Sequence, residues 1–594
     1  MNTNFKRNLL SKVVLLLCLW FIVIYRLDSV NKTETSWDVF GYYLYLPATF
    51  VYDDPMLNDR TWVEQVNEKH HLTATIYQIG ETPDHKPMYF FLMGMSFLYL
   101  PFFLLGHGIA AVFGFPMDGF SEPYQYSLVF GGIVYTFIGL VFLRKLLLRL
   151  FSDKMVALLL IILLFTTNAT HHLITKNLET VNFLFFLMCW LLYATMRWHE
   201  DHKRKHLFQI GIAISLMALI KPTEVIVVLV PLFWGINSKQ TFKAKWQLIK
   251  QYKFHFIQVL MLCFLIGSPQ MAYWYTKTGS FIFDSYQNPG IGLDLLSPHI
   301  IPVLFSGLKG WFVYTPIMFF GVIGLYFFIP KSAPFKMAFM IYFTICFYII
   351  SSWTEWWYGA AFSLRPIIIC YPILLIGLGY LLLRIQSALL KWSMAVGIVF
   401  FTFLNQFQIW QLNNYIYDPY RTTWAYYGAI FLKTEAPENS EDLKTVNRSF
   451  DGTVNWRDPY NYQLNQTLKP PIVDSTTTDE FYSTIEVPYH QLTKKDHVYL
   501  MVDLWFESKD SLNQFGPFIV FSAKYKEETY GYQSADLSKL KSDQNGLYQQ
   551  HTTFLSPPIR TLDDKLIFYV WNPSKHALKI KKFSIRAFEK KDNY

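Results

Sequence analysis

Charged residues and cysteines are both scarce in this sequence. Only 16% of the 594 residues are charged, whereas soluble domains average about a quarter. The five cysteines all lie in apolar runs and show no CxxC or Cys/His spacing, so we predict neither disulfides nor a thiolate metal site. There is no internal repeat and no low-complexity stretch. With 52% hydrophobic residues and long apolar runs in its first two thirds, the sequence indicates an integral membrane protein.

The positive charge is concentrated in short loops beside the apolar runs. The net charge of +9 therefore does not indicate nucleic-acid binding. Six of these loops hold 20 Lys and Arg in 64 residues, while the longer alternate loops before residue 412 hold nine. Cytoplasmic loops of membrane proteins carry such an excess, which predicts a cytoplasmic N-terminus and an external C-terminal region. The eleven predicted spans are 9–27, 125–143, 154–168, 180–196, 207–220, 223–236, 254–274, 313–330, 337–352, 366–383 and 392–410.

Two apolar segments near the N-terminus each have more than one possible structure. Residues 1–27 have the basic start and apolar core of a signal peptide but no small-residue cleavage site, so we predict an uncleaved first span. Residues 87–113 are also apolar, but a crossing there would leave Arg144 and Lys145 facing outward. We therefore predict an interfacial or re-entrant helix within a first external loop, 28–124.

The composition changes after residue 412, where polar residues and short alternating runs replace the apolar segments. Such runs are typical of β-strands. The sequence thus predicts an all-α polytopic membrane domain of about eleven transmembrane helices plus external juxtamembrane helices, followed by a small extracytoplasmic β-sandwich. The boundaries are 1–411 for the membrane domain, 412–469 for a linker and 470–594 for the sandwich. The clearest strand candidates are 481–487, 497–506, 518–523 and 566–571.

Asp38 is the most prominent carboxylate of the first external loop. It lies among aromatic residues, just before Gly41, Tyr42 and Tyr43. A carboxylate in this position can act as a general base for transfer to a hydroxyl group. The structural alternative is an aspartate that caps a helix starting near Val39.

Three cations lie at external span ends or loops, each beside a proline or an aromatic residue: Lys221, Lys309 and Arg365. Converging cations suit the phosphate of a lipid carrier, although ordinary snorkelling is the alternative. Arg365 follows a stretch with Trp357 and Tyr358. Interleaved aromatics can stack on sugar rings, and an interfacial aromatic belt is the structural alternative. The break after Lys221 lies between two short spans, which requires a cavity or burial in protein.

Several histidines and acids are also predicted to be external. They are His85, His171, His172, His299, Glu179 and Glu355. A His/Glu pair can bind a divalent cation, but the spacing shows no metal motif.

The order of these motifs resembles the GT-C superfamily of integral membrane glycosyltransferases. Its nearer resemblance is to the dolichyl-phosphate-mannose mannosyltransferase and aminoarabinose-transferase branch, in the form typical of Bacteroidetes-like bacteria. The resemblance covers about residues 1–410 and departs from the family pattern at Val39, which replaces an acidic residue, and at Met88, which replaces a proline. It rests on Asp38 with Gly41–Tyr43, on 84–90 as the start of a juxtamembrane helix, and on Lys221–Thr223, Ser297–His299, Leu304–Ser306, 309–316 and Trp357–Gly359 with Arg365.

This resemblance implies an inverting glycosyltransferase of the bacterial inner (cytoplasmic) membrane. A polyprenyl-phosphate donor would pass its sugar to an acceptor hydroxyl of a glycan, lipid or protein on the periplasmic face, with no nucleotide sugar. The implied catalytic residues are Asp38 and, as second acid, Glu179. The implied phosphate-binding residues are Arg365, Lys221, Lys309 and His299. The implied sugar- or acceptor-binding residues are Tyr42, Tyr43, His85, Trp357, Tyr358 and Glu355. A divalent metal ion is left open.

Two other functions share some of these features. A transporter or flippase of lipid-linked sugars would have the same spans and intramembrane charge, but it needs neither a catalytic Asp38 nor a large first loop, and transporters often show inverted repeats. A non-catalytic membrane scaffold that displays the β-domain would tolerate changes at Asp38, Lys221 and Arg365.

Overall fold

The computed structural model divides into two compact units. The first comprises Met1–Gln287, Asp294–Tyr420 and Ile430–Glu435, and the second comprises Asn288–Leu293, Arg421–Ala429 and Ala436–Tyr594. The first unit is helical and the second carries two β-sheets. The residues that the structure describes are 8–31, 33–286, 291–438, 440–446, 462–472, 475–508, 512, 516–526, 528–544 and 546–590.

Helices dominate the chain up to residue 435. The α-helices are α1 Leu9–Asp28, α2 Asp38–Tyr43, α3 Tyr45–Phe50, α4 Thr61–His70, α5 Gly94–Phe113, α6 Glu122–Leu147, α7 Asp153–Phe165, α8 Thr180–Asp201, α9 Arg204–Ile220, α10 Leu229–Phe233, α11 Lys239–Gln251, α12 Lys253–Thr278, α13 Ile300–Phe305, α14 Trp311–Tyr314, α15 Ile317–Ile323, α16 Lys336–Ser351, α17 Tyr371–Arg384, α18 Ala388–Asn413 and α19 Trp424–Ile430. Short 3₁₀ helices cover Pro222–Val228, Arg365–Cys370, Ser440–Leu443 and Tyr489–Gln491, and π-helical turns cover Thr170–Thr175 and Gly324–Phe328.

Seven helices in the described part of the chain are long and apolar enough to cross a membrane: α1, α5, α6, α8, α12, α18, and α17 with its preceding 3₁₀ turn. Three shorter apolar helices cover Pro222–Phe233, Ile317–Phe328 and Lys336–Ser351. A helical domain with several apolar spans and a C-terminal β-region is therefore confirmed. Helices occupy all eleven predicted spans among the described residues, but the number that cross stays a prediction.

The first and sixth helices run in opposite directions. At one end, the amides of Leu10 and Ser11 at the start of α1 donate to Asp153 at 2.8 and 3.1 Å. Arg144, at the C-terminal end of α6, donates to the hydroxyl of the same Ser11 at 2.8 Å. The start of α1 and the end of α6 thus lie together. If both helices cross the membrane, an even number of crossings separates them.

The helix α5, Gly94–Phe113, covers the larger part of the segment 87–113 that the charge pattern predicts to be interfacial. Its 20 residues continue through Pro101 and meet the length and composition of a span. It packs antiparallel to the first half of α6, because the Tyr135 hydroxyl donates to the carbonyl of Leu98 at 3.0 Å and a Cβ on Gly106 would lie 2.8 Å from the Cα of Tyr124. If α5 were the one crossing between α1 and α6, then α1 and α6 would cross in the same direction. The contacts between the start of α1 and the end of α6 show the opposite, so a juxtamembrane position remains our prediction for α5.

The segment before α5 differs from the predicted start of that helix. Residues 84–90 form the turn and second strand of a small antiparallel hairpin, β1 Ile79–Glu81 with β2 Pro87–Tyr89. The helix begins only at Gly94. A proline at the start of an edge strand needs no amide partner, so Pro87 fits the hairpin as well as it fits a helix start.

Close backbone packing holds the segment that follows Arg365. The helix α17 is mostly buried within the first unit. A Cβ on Gly324 would collide with the backbone of Gly377, and one on Gly377 would lie 2.5 Å from the amide nitrogen of Leu325. Because only glycine permits this approach, the two segments are fixed against each other, and α17 provides a rigid base for Arg365.

The second unit is a sandwich of two four-stranded antiparallel sheets, in the orders β3-β10-β5-β8 and β4-β9-β6-β7. Apolar side chains from both sheets form one core, for example Val502 and Phe521. The first strand lies inside the predicted linker, because its mixed polar sequence pairs through the backbone with β10 and does not alternate clearly. The strands are β3 Tyr462–Leu468, β4 Phe481–Pro488, β5 Tyr499–Ser508, β6 Phe518–Tyr525, β7 Glu528–Asp536, β8 Leu547–Leu555, β9 Lys565–Trp571 and β10 Leu578–Lys590.

Candidate active site

Asp38 is the first residue of α2 and follows a strained residue. Trp37 has φ 53° and ψ −126°, a conformation that costs a non-glycine residue about 1–3 kcal/mol. Two hydrogen bonds hold it: its amide donates to the carbonyl of Leu72 at 3.2 Å, and its carbonyl accepts from Gln78 at 3.0 Å. The loop between α4 and β1, which contains Leu72 and Gln78, thereby fixes the backbone from which the Asp38 side chain projects.

The two oxygens of Asp38 have different partners. The Tyr77 hydroxyl donates to Oδ1 at 2.6 Å, and Arg365 Nη2 donates to Oδ2 at 3.3 Å. No amide of α2 donates to this carboxylate in the described part of the chain, so helix capping does not explain it. The side chain remains 40% exposed. Since an ionised carboxylate accepts at about four lone-pair sites, Asp38 keeps room for a further donor.

Tyr77 is a partly buried phenol in the loop between α4 and β1. Burial raises the pKa of Tyr77, and the charge of Asp38 raises it further. The phenol therefore stays protonated and remains a donor to the carboxylate at neutral pH. Tyr77 orients Asp38 from the side opposite Arg365.

Arg365 joins two carboxylates that are far apart in sequence. Besides Asp38 it contacts Glu179, whose Oε2 lies 3.4 Å from Nη1. The Arg365 and Glu179 side chains are each 22% exposed. A guanidinium has five N–H donors, so Arg365 can hold both carboxylates and still donate to a further anion.

Glu179 lies directly before α8 and contacts a buried histidine. His172 Nδ1 is 3.8 Å from Glu179 Oε2. Burial by itself raises the pKa of Glu179, but His172 and the charge of Arg365 outweigh this effect and hold the pKa below its usual range. Glu179 is therefore ionised. His172 is fixed in turn by the carbonyl of Phe362, 3.0 Å from its Nε2.

The loop that leads to Arg365 contains strained residues and is held by a hydrogen bond from Lys309. Tyr358, Gly359 and Ser363 have φ values of 51°, 69° and 57°. Lys309 is fully buried, and its ammonium group donates to the carbonyl of Ala361. Burial lowers the pKa of Lys309. Its position gives it no access to a ligand, so the predicted phosphate contact of Lys309 is replaced by support of this loop.

Lys221 lies between α9 and the following 3₁₀ helix, at the predicted break. Its amide donates to the carbonyl of Met217 at 3.0 Å. The side chain lies within electrostatic range of Arg365, Asp38 and Glu179. Lys221 thus adds positive charge to the same cluster, as expected if these groups share one site.

The two predicted sugar-binding tyrosines of α2 differ in position. The Tyr42 hydroxyl lies 3.3 Å from that of Tyr286, and its ring packs on Phe91. Tyr43 is fully buried and donates to the carbonyl of Gly119 at 2.5 Å. A sugar contact by Tyr43 would require the core to open, so the prediction for Tyr43 is not supported.

His85 lies apart from the carboxylates, at the tip of the β1–β2 hairpin. Its side chain is 88% exposed and pairs with Glu81 at 3.2 Å. Among the described residues, His85 makes no contact with Asp38 or Arg365, because the hairpin turn directs its side chain into solvent. The sugar- or acceptor-binding role of His85 stays a prediction, at an exposed position on the hairpin.

The other predicted residues surround the loop before Arg365. His299 directly precedes α13, and its amide donates to the carbonyl of Ser351 at 2.6 Å. The carbonyl of Glu355 accepts from the amide of Tyr358. Trp357 is half-buried between them. These positions leave their predicted roles as predictions.

A metal ion does not fit between the two acids. Among the described residues, no group of three or more His, Cys, Asp and Glu side chains has metal-binding geometry. The guanidinium of Arg365 already occupies the space between Asp38 and Glu179. We therefore route no step through a metal.

Sequence reasoning did not assign roles to Tyr77 and His172. Tyr77 lies in an unremarkable loop sequence, and no spacing rule connects it with Asp38. His172 was considered only as a metal ligand. Tyr77 is identified by its contact with Asp38, 39 positions away in the sequence. His172 is identified by its contact with Glu179 and is held by the carbonyl of Phe362, 190 positions away.

The apolar helices indicate a multi-pass membrane protein, and its helical unit holds a carboxylate–arginine–carboxylate cluster. Residues 115–274 match the family described as dolichyl-phosphate-mannose-protein mannosyltransferase. This family is of the GT-C type, so the match supports the GT-C superfamily and a glycosyltransferase activity. The matched segment contains His172, Glu179 and Lys221 but not Asp38 or Arg365. No curated protein matches the chain.

Proposed function

We propose that this protein is an inverting glycosyltransferase that uses a polyprenyl-phosphate sugar. The observation that carries the proposal is that Arg365 contacts both Asp38 and Glu179, at 3.3 and 3.4 Å. An anion-binding side chain and an exposed carboxylate thus lie side by side. Phosphate binding and proton removal are the two tasks that such a transfer requires.

Arg365 is the residue proposed to bind the donor phosphate. Guanidinium groups bind phosphate through paired N–H donors, and two carboxylates hold Arg365 in a fixed orientation. Lys221 supplies a second positive charge nearby. These charges stabilise the phosphate as negative charge develops on it during departure.

Asp38 is proposed as the general base. The acceptor hydroxyl donates its proton to a free lone pair of Asp38, and its oxygen attacks the anomeric carbon. The bond between that carbon and the phosphate oxygen breaks, and polyprenyl phosphate leaves with the electron pair. Attack from the side opposite the phosphate inverts the anomeric configuration. Such a base contributes about 10²–10⁴-fold to the rate.

We place this reaction on the periplasmic face of the bacterial inner membrane. The support is the excess of Lys and Arg in the loops predicted to be cytoplasmic and the antiparallel arrangement of α1 and α6. A tag at the C-terminus should react with an impermeant label in intact spheroplasts. Labelling only after lysis would contradict this topology.

The activity is tested with purified protein and a panel of polyprenyl-phosphate sugars labelled with ¹³C at the anomeric carbon. We expect one donor to release polyprenyl phosphate when a suitable hydroxyl acceptor is present, with a product of inverted anomeric configuration. A product of retained configuration would reject direct attack assisted by Asp38. Movement of the intact donor across a vesicle bilayer, without release, would instead identify a transporter.

A further inference from the structure

A second polar cluster lies on the outer face of the sheet β3-β10-β5-β8. Its centre is Asp503 on β5, whose side chain is only 4% exposed. The residues of β5 alternate in direction, so Val502 and Leu504 lie in the sandwich core while Asp503 and Trp505 lie on the outer face. A carboxylate enclosed on an outer sheet face is unusual, because aspartate is almost never fully buried unless it is paired.

Three side chains with donor groups surround this carboxylate. His551 Nδ1 lies 2.5 Å from Oδ1, Arg586 Nη2 lies 3.0 Å from Oδ2, and Lys582 Nζ lies 3.8 Å from Oδ2. Ser584, directly opposite on β10, adds a hydroxyl at 3.4 Å. The donor side chains are 61%, 38% and 40% exposed for His551, Arg586 and Lys582. The buried carboxylate therefore holds a set of donors that solvent can reach.

The donors exceed what one carboxylate can use. Arg586 and Lys582 carry two positive charges against the one negative charge of Asp503. The Arg586 Nε–H and the Trp505 indole N–H are buried without a partner among the described atoms. Unpartnered buried donors are rare in folded proteins. The reachable excess is the positive charge of Arg586 and Lys582, which favours an anionic group on this face.

An aromatic ring adjoins these donors. Trp505 pairs across the strands with Lys582 and Gln549, and the Lys582 ammonium lies 4.3 Å from the ring centroid. An indole presents a flat apolar face beside a polar N–H group. The C–H face of a pyranose can stack on such a ring while its hydroxyls and a carboxylate pair with neighbouring donors.

We propose that this outer face, formed by Asp503, Trp505, His551, Lys582 and Arg586, is a binding site for an acidic saccharide. The indole takes the sugar ring, and Arg586 and Lys582 take the acidic group. Asp503 holds these donors in place through its two oxygens. The site belongs to the β-sandwich alone and does not depend on the transferase proposal.

The test uses the full chain in lipid nanodiscs free of glycoside detergent. Saturation-transfer NMR is recorded with methyl β-D-glucuronide and, in parallel, with methyl β-D-glucoside. We expect saturable transfer to the ring protons of the glucuronide, with the glucoside weaker and less dependent on salt. Absence of transfer to both glycosides would overturn the proposal. Equal binding of both would reject the acidic preference.

Substitutions on this outer face test whether the glucuronide signal comes from it. Trp505→Ala and Arg586→Gln should each weaken glucuronide binding roughly tenfold, the scale of one lost stacking or charge-assisted contact. Trp505→Phe, which keeps a flat ring, should restore most of the binding if the substitution to alanine does not merely unfold the domain. Tyr532→Ala, which removes an exposed aromatic ring from β7 of the other sheet, is the matched control. Undiminished binding by Trp505→Ala, or equal loss in Tyr532→Ala, would contradict the assignment.

Discussion

Asp38 and Asp503 show two different uses of the same side chain. Asp38 is 40% exposed and shares one arginine with a second carboxylate. Asp503 is 4% exposed and is enclosed by two cations and a histidine. An exposed carboxylate with free lone pairs can take up a proton, whereas an enclosed one mainly orients the donors around it. Exposure and the balance of charge therefore decide which role an aspartate can fill.

The net charges of the Asp38 and Asp503 clusters indicate the same difference in role. Asp38, Glu179 and Arg365 together carry one net negative charge, and Lys221 lies nearby. Asp503 with Lys582 and Arg586 carries one net positive charge. In the first cluster the exposed Asp38 has spare acceptor capacity for proton removal, while Arg365 supplies donors for a phosphate. In the second cluster only the donors are spare, which suits anion binding alone. The four predictions below test this distinction, in order of decreasing effect.

The largest effect is expected for Asp38→Asn. The amide cannot accept the hydroxyl proton, so the transfer rate should fall about 10²–10⁴-fold while the donor still binds. Steady-state rates and donor affinity are measured on the same preparation. Asp84→Asn, at an exposed position of the same external loop, is the control and should stay at the wild-type rate. A rate near wild type for Asp38→Asn would remove Asp38 from the mechanism.

Arg365→Gln should mainly weaken donor binding. Loss of one partner from a partly buried, hydrogen-bonded charge cluster costs about 2–5 kcal/mol, seen as a raised donor KM. Arg365→Lys keeps the charge but loses the planar fork, so its KM should lie between those of wild type and Arg365→Gln. An unchanged KM in both variants would reject the phosphate-binding role.

Asp503→Asn should lower the stability of the β-sandwich. Removing the charge weakens the bonds to His551 and Arg586, and a hydrogen bond to a charged group contributes about 1.5–3 kcal/mol. Chemical unfolding of the full chain, followed by a probe in the sandwich, measures the change. Asp563→Asn, at a position 91% exposed, should change stability by less than about 0.5 kcal/mol. Equal changes in stability in both variants would show that the enclosure of Asp503 contributes nothing to the stability of the β-sandwich.

The smallest effect is expected for Tyr77→Phe, which removes one donor from Asp38. A hydrogen bond to a charged group contributes about 1.5 kcal/mol at the lower end of its range. Because Arg365 still holds Asp38, we expect a loss of that size, and the transfer rate should fall roughly tenfold. Burial and the charge of Asp38 raise the pKa of Tyr77, so the phenol keeps its proton at every pH below its ordinary value of about 10. The ratio of the two rates should therefore stay constant from pH 6 to about pH 9.

Tyr126→Phe, which alters an exposed phenol of α6, is the control for this variant. A rate ratio for Tyr77→Phe that changes within the neutral range would mean that Tyr77 itself titrates there. That outcome would contradict its role as a permanent donor to Asp38.

Local patterns predicted the elements better than the contacts between them. Apolar runs located the apolar helices but not polar ones such as α4 and α11. The alternating runs located β4, β5, β6 and β9, because hydropathy and period are properties of neighbouring residues. The strand β3 was missed because its sequence is polar and only its last residue, Leu468, is buried. Strands β7 and β8 are likewise largely exposed and lack a clear apolar alternation.

The sequence predicted which residues belong to the candidate site but not which of them contact each other. Asp38, Glu179 and Arg365 were selected separately, and their contact joins positions 186 and 327 residues apart. Lys309 matched the same pattern of an external cation, yet it is buried and bonded to the carbonyl of Ala361. A sequence pattern shows that a cation is near the site. Only the packing shows whether it faces a ligand or a backbone carbonyl.

The most direct test of the account compares the two carboxylates that contact Arg365. Release of polyprenyl phosphate from the active donor is measured for wild type, Asp38→Asn and Glu179→Gln under single-turnover conditions. The account predicts that Asp38→Asn loses release at saturating donor, while Glu179→Gln keeps a measurable rate but needs more donor because Arg365 is less well held. Release by Asp38→Asn at the wild-type rate, with none from Glu179→Gln, would contradict it and identify Glu179 as the base.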